Sequence, residues 1–563
     1  MSAPTWATAS AVVLLALGQT AGGRQANGAF VRFDDVAGAA GLDFRHERGS
    51  SEERHLVEIM SGGGLFLDAN GDGWPDVFLV DGGSLVDPTV QAAHRLYLNR
   101  GDGTFEDVSA RAGLAHRAYG VGACAADYDN DGRTDIYVTS LGPNVLYRNQ
   151  ADGSFADVTG EAGVAGDAFS ASCAFADIDR DGDVDLFVVN YVDARANNAV
   201  FCGDAATGLR IYCHPVTFDP LQDVLYRNEG GGTFTDVTTE AGIAPHRGNG
   251  LGAVFGDYDD DGWIDLFVAN DSTPNFLFRN DGDGTFTEMA LVSGVAVASD
   301  GMPRAGMGTD FGDYDGDGDL DLFVTNHEFE AHTLFRNIGD GLFEDVTFPS
   351  GVGPATLPYV GFGAQFLDLD NDRDLDLAIV NGNVMNSPEH FRPGATEAQR
   401  NLVLRNTGQG RFEDATADAG VGLALEGISR ALVSADIDSD GDLDLLVTDN
   451  GGAPALLRNS GARGGAVLLR LIGTRSNRDA IGTRVRLTAG GITQIREVRA
   501  GSSYLGQHDL RVHVGLGDAT IIDRLEIRWP SGGTEVVEGQ AANAIVTVTE
   551  GQGVTGRLPL AGR

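Results

Sequence analysis

Seven times along the chain an acidic segment of the form D-x-[DN]-x-D-[GR]-x-x-D runs into a short apolar stretch, beginning at Asp68, Asp127, Asp177, Asp257, Asp313, Asp368 and Asp436. Oxygen-bearing side chains at alternate positions, with a glycine at the sixth, are what a short loop needs to wrap a hard divalent cation. The oxygens turn inward and glycine alone turns sharply enough. Magnesium demands a tight octahedron and keeps its water, so a flexible loop this rich in carboxylate reads as a calcium site. Like charges are crowded in each loop with few basic residues close by in sequence to offset them, which a metal-free polar turn does not explain.

The loop is also the ruler of the chain. After each copy come an apolar strand such as DLFVVN, a second strand of the form L-[YF]-x-N, a GDG-like turn and an F-x-D-V-T element. Short stretches rich in Phe, Val, Tyr and Ile, bounded by Gly, Asn or Asp, are strand grammar. Four strands per unit at spacings of about 50 to 80 residues describe a propeller blade. The expected fold is therefore all-β, a seven-bladed β-propeller followed by a separate small β-sandwich. The first F-x-D-V copy, Phe33-Asp34-Asp35-Val36, precedes every acidic loop, and no copy follows the last. Residues 31–37 are thus expected to complete the last blade and remove its open edge.

The acidic loops and the GDG turns fall on one rim. Two long insertions, Tyr191 to Asp223 and Gly382 to Asn401, follow strand two and fall on the opposite face, where a binding surface is expected. Residues 465 to 563 carry 12 Arg against 9 Asp or Glu, whereas the whole chain has a net charge of -43, so the acidity belongs to the repeats. Such a charge repels nucleic acid and anionic membranes. All 39 basic residues are Arg.

Residues 1–23 carry an apolar stretch from Ala11 to Leu17 followed by small residues, the pattern of a secretory signal peptide. No other stretch approaches the length of a membrane span. Export predicts a disulfide between Cys202 and Cys213, which bracket a loop inside the first insertion. Cys124 and Cys173 precede their acidic loops by three and four residues, hence lie on opposite faces of equivalent strands, and read as buried free thiols.

Repeats such as FGDYDDDGWIDLFVAN resemble the FG-GAP or VCBS repeats of the integrin alpha-subunit propeller. The segments NRDAIGTRV, GSSYLGQHD, VHVGLGDA and IRWPSGG resemble the ASPIC/UnbV domain. The combination is similar to that of bacterial relatives of cartilage acidic protein. It implies a propeller over residues 28–462, an ASPIC/UnbV-like β domain over 463–551 and a tail over 552–563. It also implies a secreted or periplasmic, calcium-loaded protein, and it brings no catalytic residue with it. By analogy with the integrin loops, side chains at positions one, three, five and nine bind the cation with the backbone carbonyl at seven.

The implied ligands are Asp68, Asn70, Asp72 and Asp76 in the first loop, then Asp127, Asp129, Asp131 and Asp135, and Asp177, Asp179, Asp181 and Asp185. Asp257, Asp259, Asp261 and Asp265, then Asp313, Asp315, Asp317 and Asp321 follow. Asp368, Asp370, Asp372 and Asp376, and Asp436, Asp438, Asp440 and Asp444 complete the set of up to seven sites. Arg373 stands where the sixth loop needs glycine, so that site is expected to be the weakest.

Other motifs fall away. HEFEAH at 327–332 spaces its histidines five apart, wrong for a helical zinc site, and Arg100-Gly101-Asp102 is one version of a recurrent turn. The favoured function is extracellular recognition of a protein or glycan by a non-enzyme. The rivals are a secreted polysaccharide lyase or hydrolase using the central upper cavity, and a structural scaffold. A cavity in which groups such as Tyr191, His214, His327 and His390 converge would favour the enzyme.

Overall fold

The computed structural model describes residues 30–562 apart from 88, 116–117, 196–199, 391 and 409, so residues 1–23, read from sequence as an export signal, lie outside the described residues. The chain forms a β-propeller of seven four-stranded antiparallel units. The first comprises Gly64–Leu67, Asp76–Leu79, Arg95–Asn99 and Phe105–Asp107, with the shortest-numbered strand innermost. The seventh takes three strands from residues 429–459 and its fourth, Phe33–Asp35, from the start of the described chain, with Phe33 opposite Asn459 and Asp35 opposite Leu457.

The inner strands are buried at almost every position because each lies between two neighbouring units. Leu65 and Leu67 pack with Ile136 and Val138 of the second unit, while Phe66 packs with Val433, Leu446 and Leu456 of the seventh. Alternate side chains point to opposite neighbours, so both faces need to be dry. The same alternation corrects the reading of Cys124 and Cys173 as free thiols. They occupy the inner strands Tyr119–Ala126 and Ala168–Ala176 of adjacent units and are disulfide-bonded, with Cα atoms 5.8 Å apart. Opposite faces of equivalent strands face each other across a unit boundary. Cys202 and Cys213 are also bonded.

The C-terminal residues form two four-stranded sheets around Leu469, Leu487, Ile527, Trp529 and Val546. Two expectations about this region are corrected. Residues 553–559 are not a tail but an edge strand, paired antiparallel with Ala544–Thr549; with Gly553, Gly556 and Pro559 and side chains largely exposed, they carry no alternating apolar face to mark a strand. Nor is the domain separate. Its core runs on into Cys124, Tyr137 and Phe175 of the propeller, and a loop from Ala500 to Asp509 enters the central channel.

Inside the channel Gly506–Gln507 pairs with the inner strand of the first unit, and Ser503 exchanges backbone hydrogen bonds with Thr309 of the fifth. Gln507 Oε1 accepts from Ala125 N–H at 2.9 Å, Ser503 Oγ from Ala364 N–H at 3.0 Å and His508 Nδ1 from Ser434 N–H at 3.1 Å. Tyr504, fully buried, packs on Phe362 and donates to the Met60 carbonyl on the far side, so the loop plugs the channel.

Candidate metal rim and opposite-face pocket

Every acidic loop closes in the same way. The carboxylate at position one accepts the N–H of position six, at 2.7 Å in Gly132 to Asp127 and 2.9 Å in Arg373 to Asp368. The fourth residue takes positive φ, as in Asn130 and Asp260, and the sixth does too, at +89° for Gly132 and +88° for Arg373. Arginine thus holds a turn that glycine holds elsewhere, at a cost in backbone strain.

The aspartate at position nine uses one oxygen to accept the N–H of the asparagine ending the third strand. That asparagine then donates its amide to the position-two carbonyl of the preceding unit's loop. Asn149 reaches Ala69, Asn228 reaches Tyr128, Asn280 reaches Ile178, Asn337 reaches Tyr258, Asn406 reaches Tyr314 and Asn459 reaches Leu369, all at 2.7–2.9 Å. Asn99 closes the circuit on Ile437 at 2.8 Å. The L-[YF]-x-N asparagine is a clasp between units, a role the sequence reading missed although its recurrence in every unit was visible.

The clusters that could hold a metal ion gather positions one, three and nine in the second to fifth loops, as with Asp127, Asp129 and Asp135, their oxygens within 4.8 Å. In the sixth they are Asp368, Asp370 and Asp372. Burial foremost, then mutual crowding, raises these groups: Asp135 to about 9, Asp368 to about 8 and Asp177 to about 7, while Asp265 and Asp321 stand well above their ordinary value. Buried oxygens of Asp135, Asp177, Asp257, Asp313 and Asp438 have no hydrogen-bond partner, which fits a donor set for a cation. Position five lies outside the clusters of loops two to five.

Counter-charge reaches acidic loops from elsewhere in the same unit. The third-strand arginines Arg148, Arg227, Arg279, Arg336 and Arg405 act electrostatically on the position-three carboxylates of their own units. The counter-charge is 19 to 48 residues away in sequence and so escaped notice. In the sixth loop Arg405 lies 3.4 Å from both Asp370 and Asp372.

The C-terminal domain covers this rim. Arg484 and Arg528 pair with Asp257 and Asp260, Arg470 lies 3.7 Å from Asp68, and Asp479 accepts the Asp127 N–H at 2.7 Å. Arg511 donates to the Asp436 carbonyl at 2.9 Å, and Gly517 N–H to that of Asn371 at 2.9 Å. A Cβ on Gly515 would fall 1.9 Å from the Asp368 carboxylate, so backbone alone fits there. The arginine excess of the C-terminal residues is thereby placed against the acidic loops.

The opposite face carries the insertions, which meet: Asn386 of one donates to the Arg210 carbonyl of the other at 3.2 Å. Beneath them is a pocket of about 320 Å³ lined by residues of both insertions, of the Val57–Met60 turn and of neighbouring loops. Tyr191, His214 and His327 line it and His390 does not. Asp271 and Glu330, which the sequence reading did not single out, also line it. Tyr191 donates to Asp271 Oδ2 at 2.5 Å and Ser272 Oγ to Oδ1 at 2.9 Å. Burial raises the Asp271 carboxyl, opposed by its hydrogen bonds and by the two histidines. Tyr191, Asp271 and His327 each stand six residues after the ninth-position aspartate of three successive units, a signal that aligning the repeats exposes.

HEFEAH is split by the fold, for His332 is buried against Phe323 and accepts the Asn326 N–H, away from any shared metal with His327. Asn270-Asp271-Ser272 has the form of an N-glycosylation acceptor, but Asn270 is fully buried.

The profile of FG-GAP-like repeats matches residues 68–138, 127–188, 216–268, 257–324 and 313–379, and that of ASPIC and UnbV matches 473–555. Cartilage acidic protein 1 of Homo sapiens is 29% identical over 304 residues, taking in 53% of this chain and 43% of that protein. Its Mus musculus counterpart is 27% identical over 337 residues, 59% of this chain and 48% of its own. The chain thus matches less than half the length of these relatives. Among solved structures, the BP39L lectin from Burkholderia pseudomallei aligns at TM-score 0.43 and 11% identity, over 72% of this chain and 97% of its own. An exotype rhamnogalacturonan lyase aligns at TM-score 0.33 and 13% identity, over 80% and 91%. No ligand or reaction is carried over from either.

Proposed function

Because the chain belongs to the FG-GAP-like repeat family and ends in an ASPIC and UnbV domain, we propose that it is a secreted, calcium-loaded, seven-bladed propeller recognising an extracellular protein or glycan. The observation that carries this reading is the placement of the C-terminal domain. It covers the acidic rim and plugs the channel, which leaves the insertion face as the open concave surface. Calcium would be held by positions one, three and nine, joined by position five and the position-seven carbonyl, and would tie the first two strands of each unit together. The sixth loop, strained at Arg373 and already bridged by Arg405, would bind it least well. On this reading residues 1–23 are a removable export signal, and two disulfides suit an oxidising compartment.

The test is capture from extracellular-matrix and cell-envelope extracts on the immobilised full chain with calcium, followed by elution with a chelator. A partner released by chelation, and lost when Met307→Trp fills the pocket, supports recognition; retention by the filled variant places binding elsewhere.

A second reading, polysaccharide cleavage, is favoured by one observation: Tyr191, His214, Asp271, His327 and Glu330 converge in one pocket outside the metal loops. The central cavity first considered for it is filled by the Ala500–Asp509 loop, so any chemistry belongs in this pocket. Release of reducing ends from a panel of anionic and neutral polysaccharides by the wild type but not by Asp271→Asn would establish it.

A further inference from the structure

The opposite-face pocket has a composition that narrows its occupant. Leu56, Ile59, Met60, Met307, Val384 and Met385 make most of its wall apolar. Sugar hydroxyls need many hydrogen-bonding partners, whereas most of this wall is aliphatic and thioether and reshapes readily around an apolar body, with Tyr191 and Tyr212 adding ring faces that suit a cation. Its two formally charged side chains are both acidic: Asp271 and Glu330 line it, and no arginine does. Tyr212, itself part of the wall, donates to Glu58, a third carboxylate, at 3.0 Å.

Asp271 is 8% exposed and held in place from two sides by Tyr191 and Ser272, with its backbone tied to Asn249. Glu330 is fixed by the Ala305 N–H at 2.9 Å. Each carboxylate oxygen has capacity for a further donor. A fixed, partly desolvated carboxylate at the wall of an apolar cavity is a partner for a cation or strong donor on an otherwise apolar molecule.

We infer that this pocket takes a compact apolar molecule or side chain bearing a single ammonium group, its apolar body against the three methionines and its ammonium toward Asp271 and Glu330. The inference rests on the reading of this face as the recognition surface and narrows that reading away from glycans.

The test is calorimetry on the full chain in calcium with three probes of one shape: 4-phenylbutylammonium, 4-phenylbutanol and 4-phenylbutyrate. The ammonium is expected to bind at least tenfold more tightly than the alcohol, and the carboxylate not at all. Asp271→Asn should bring the ammonium to the level of the alcohol, and Met307→Trp should abolish both. Glu330→Gln, which keeps an acceptor for the Ala305 N–H, gives a second charge variant should Asp271→Asn not fold. Equal binding of ammonium and alcohol, preference for the carboxylate, or no saturable binding overturns the inference. If extracts yield a chelation-released partner while the ammonium fails, recognition stands and this occupant falls. If the ammonium binds and no macromolecule is captured, the reverse holds.

Discussion

The asparagine at the end of each third strand does more for the ring than its size suggests. Asn228 donates its backbone N–H to the Asp185 carboxylate and its side-chain amide to the Tyr128 and Val184 carbonyls, all buried. Asn228→Ala removes both donations and leaves carbonyls desolvated without partners, at about 1–3 kcal/mol. Chemical denaturation should show a loss of that order, while substitution of the neighbouring exposed Glu229 should change little. Glu550 makes a second residue-scale case. Burial alone would raise it, but the N–H groups of Ser476, Arg475 and Thr474 and the Ser531 hydroxyl outweigh that and hold it at about 2, below its unfolded value of 4.5. A depressed carboxylate stabilises fully above its unfolded pKa, and the contribution fades as pH falls from 4.5 through about 2. Melting curves between pH 6 and 2 should therefore fall less steeply for Glu550→Gln, which starts lower, than for the wild type.

At the scale of elements, the strand Phe33–Asp35 is three residues long yet closes the ring. Phe33 is fully buried among Leu457, Ala419 and Leu423. Phe33→Ala should cost about 3–5 kcal/mol, and deletion of residues 31–37 should leave the seventh unit with an open edge that self-associates on size-exclusion chromatography. Loss of a short terminal strand without change in stability or association would contradict this. The existence of the strand was legible because F-x-D-V recurs once too early. The one-turn helices that follow several fourth strands, such as Ser109–Ala112 ending on Gly113, were not legible, since four residues carry no helical period.

At the scale of the whole molecule, the acidic rim and its basic cover are one assembly. Arg484, 3% exposed, lies between Asp257 and Glu497, both nearly as buried. Arg484→Met leaves two buried carboxylates short of a cation and should destabilise the chain by about 3–5 kcal/mol. Under the calcium reading, chelation should lower the melting temperature and speed proteolysis within 500–509, because the loops that seat the cover lose their cross-links. An unchanged melting temperature and an unchanged cleavage pattern after chelation would count against both the metal and the coupling.

Periodicity was enough for the sequence to determine the repeating unit, the position of each acidic loop, the rim it occupies and the strand that seals the ring. These are properties of local spacing, and spacing survives in one dimension. Only the tertiary structure decided that Cys124 meets Cys173, that the arginine-rich C-terminal residues lie on the carboxylates, and that Tyr191, Asp271 and His327 share a wall. Each of those depends on the angle between neighbouring units or on how one domain docks on another. Such contacts join residues tens to hundreds of positions apart, and no local preference encodes them.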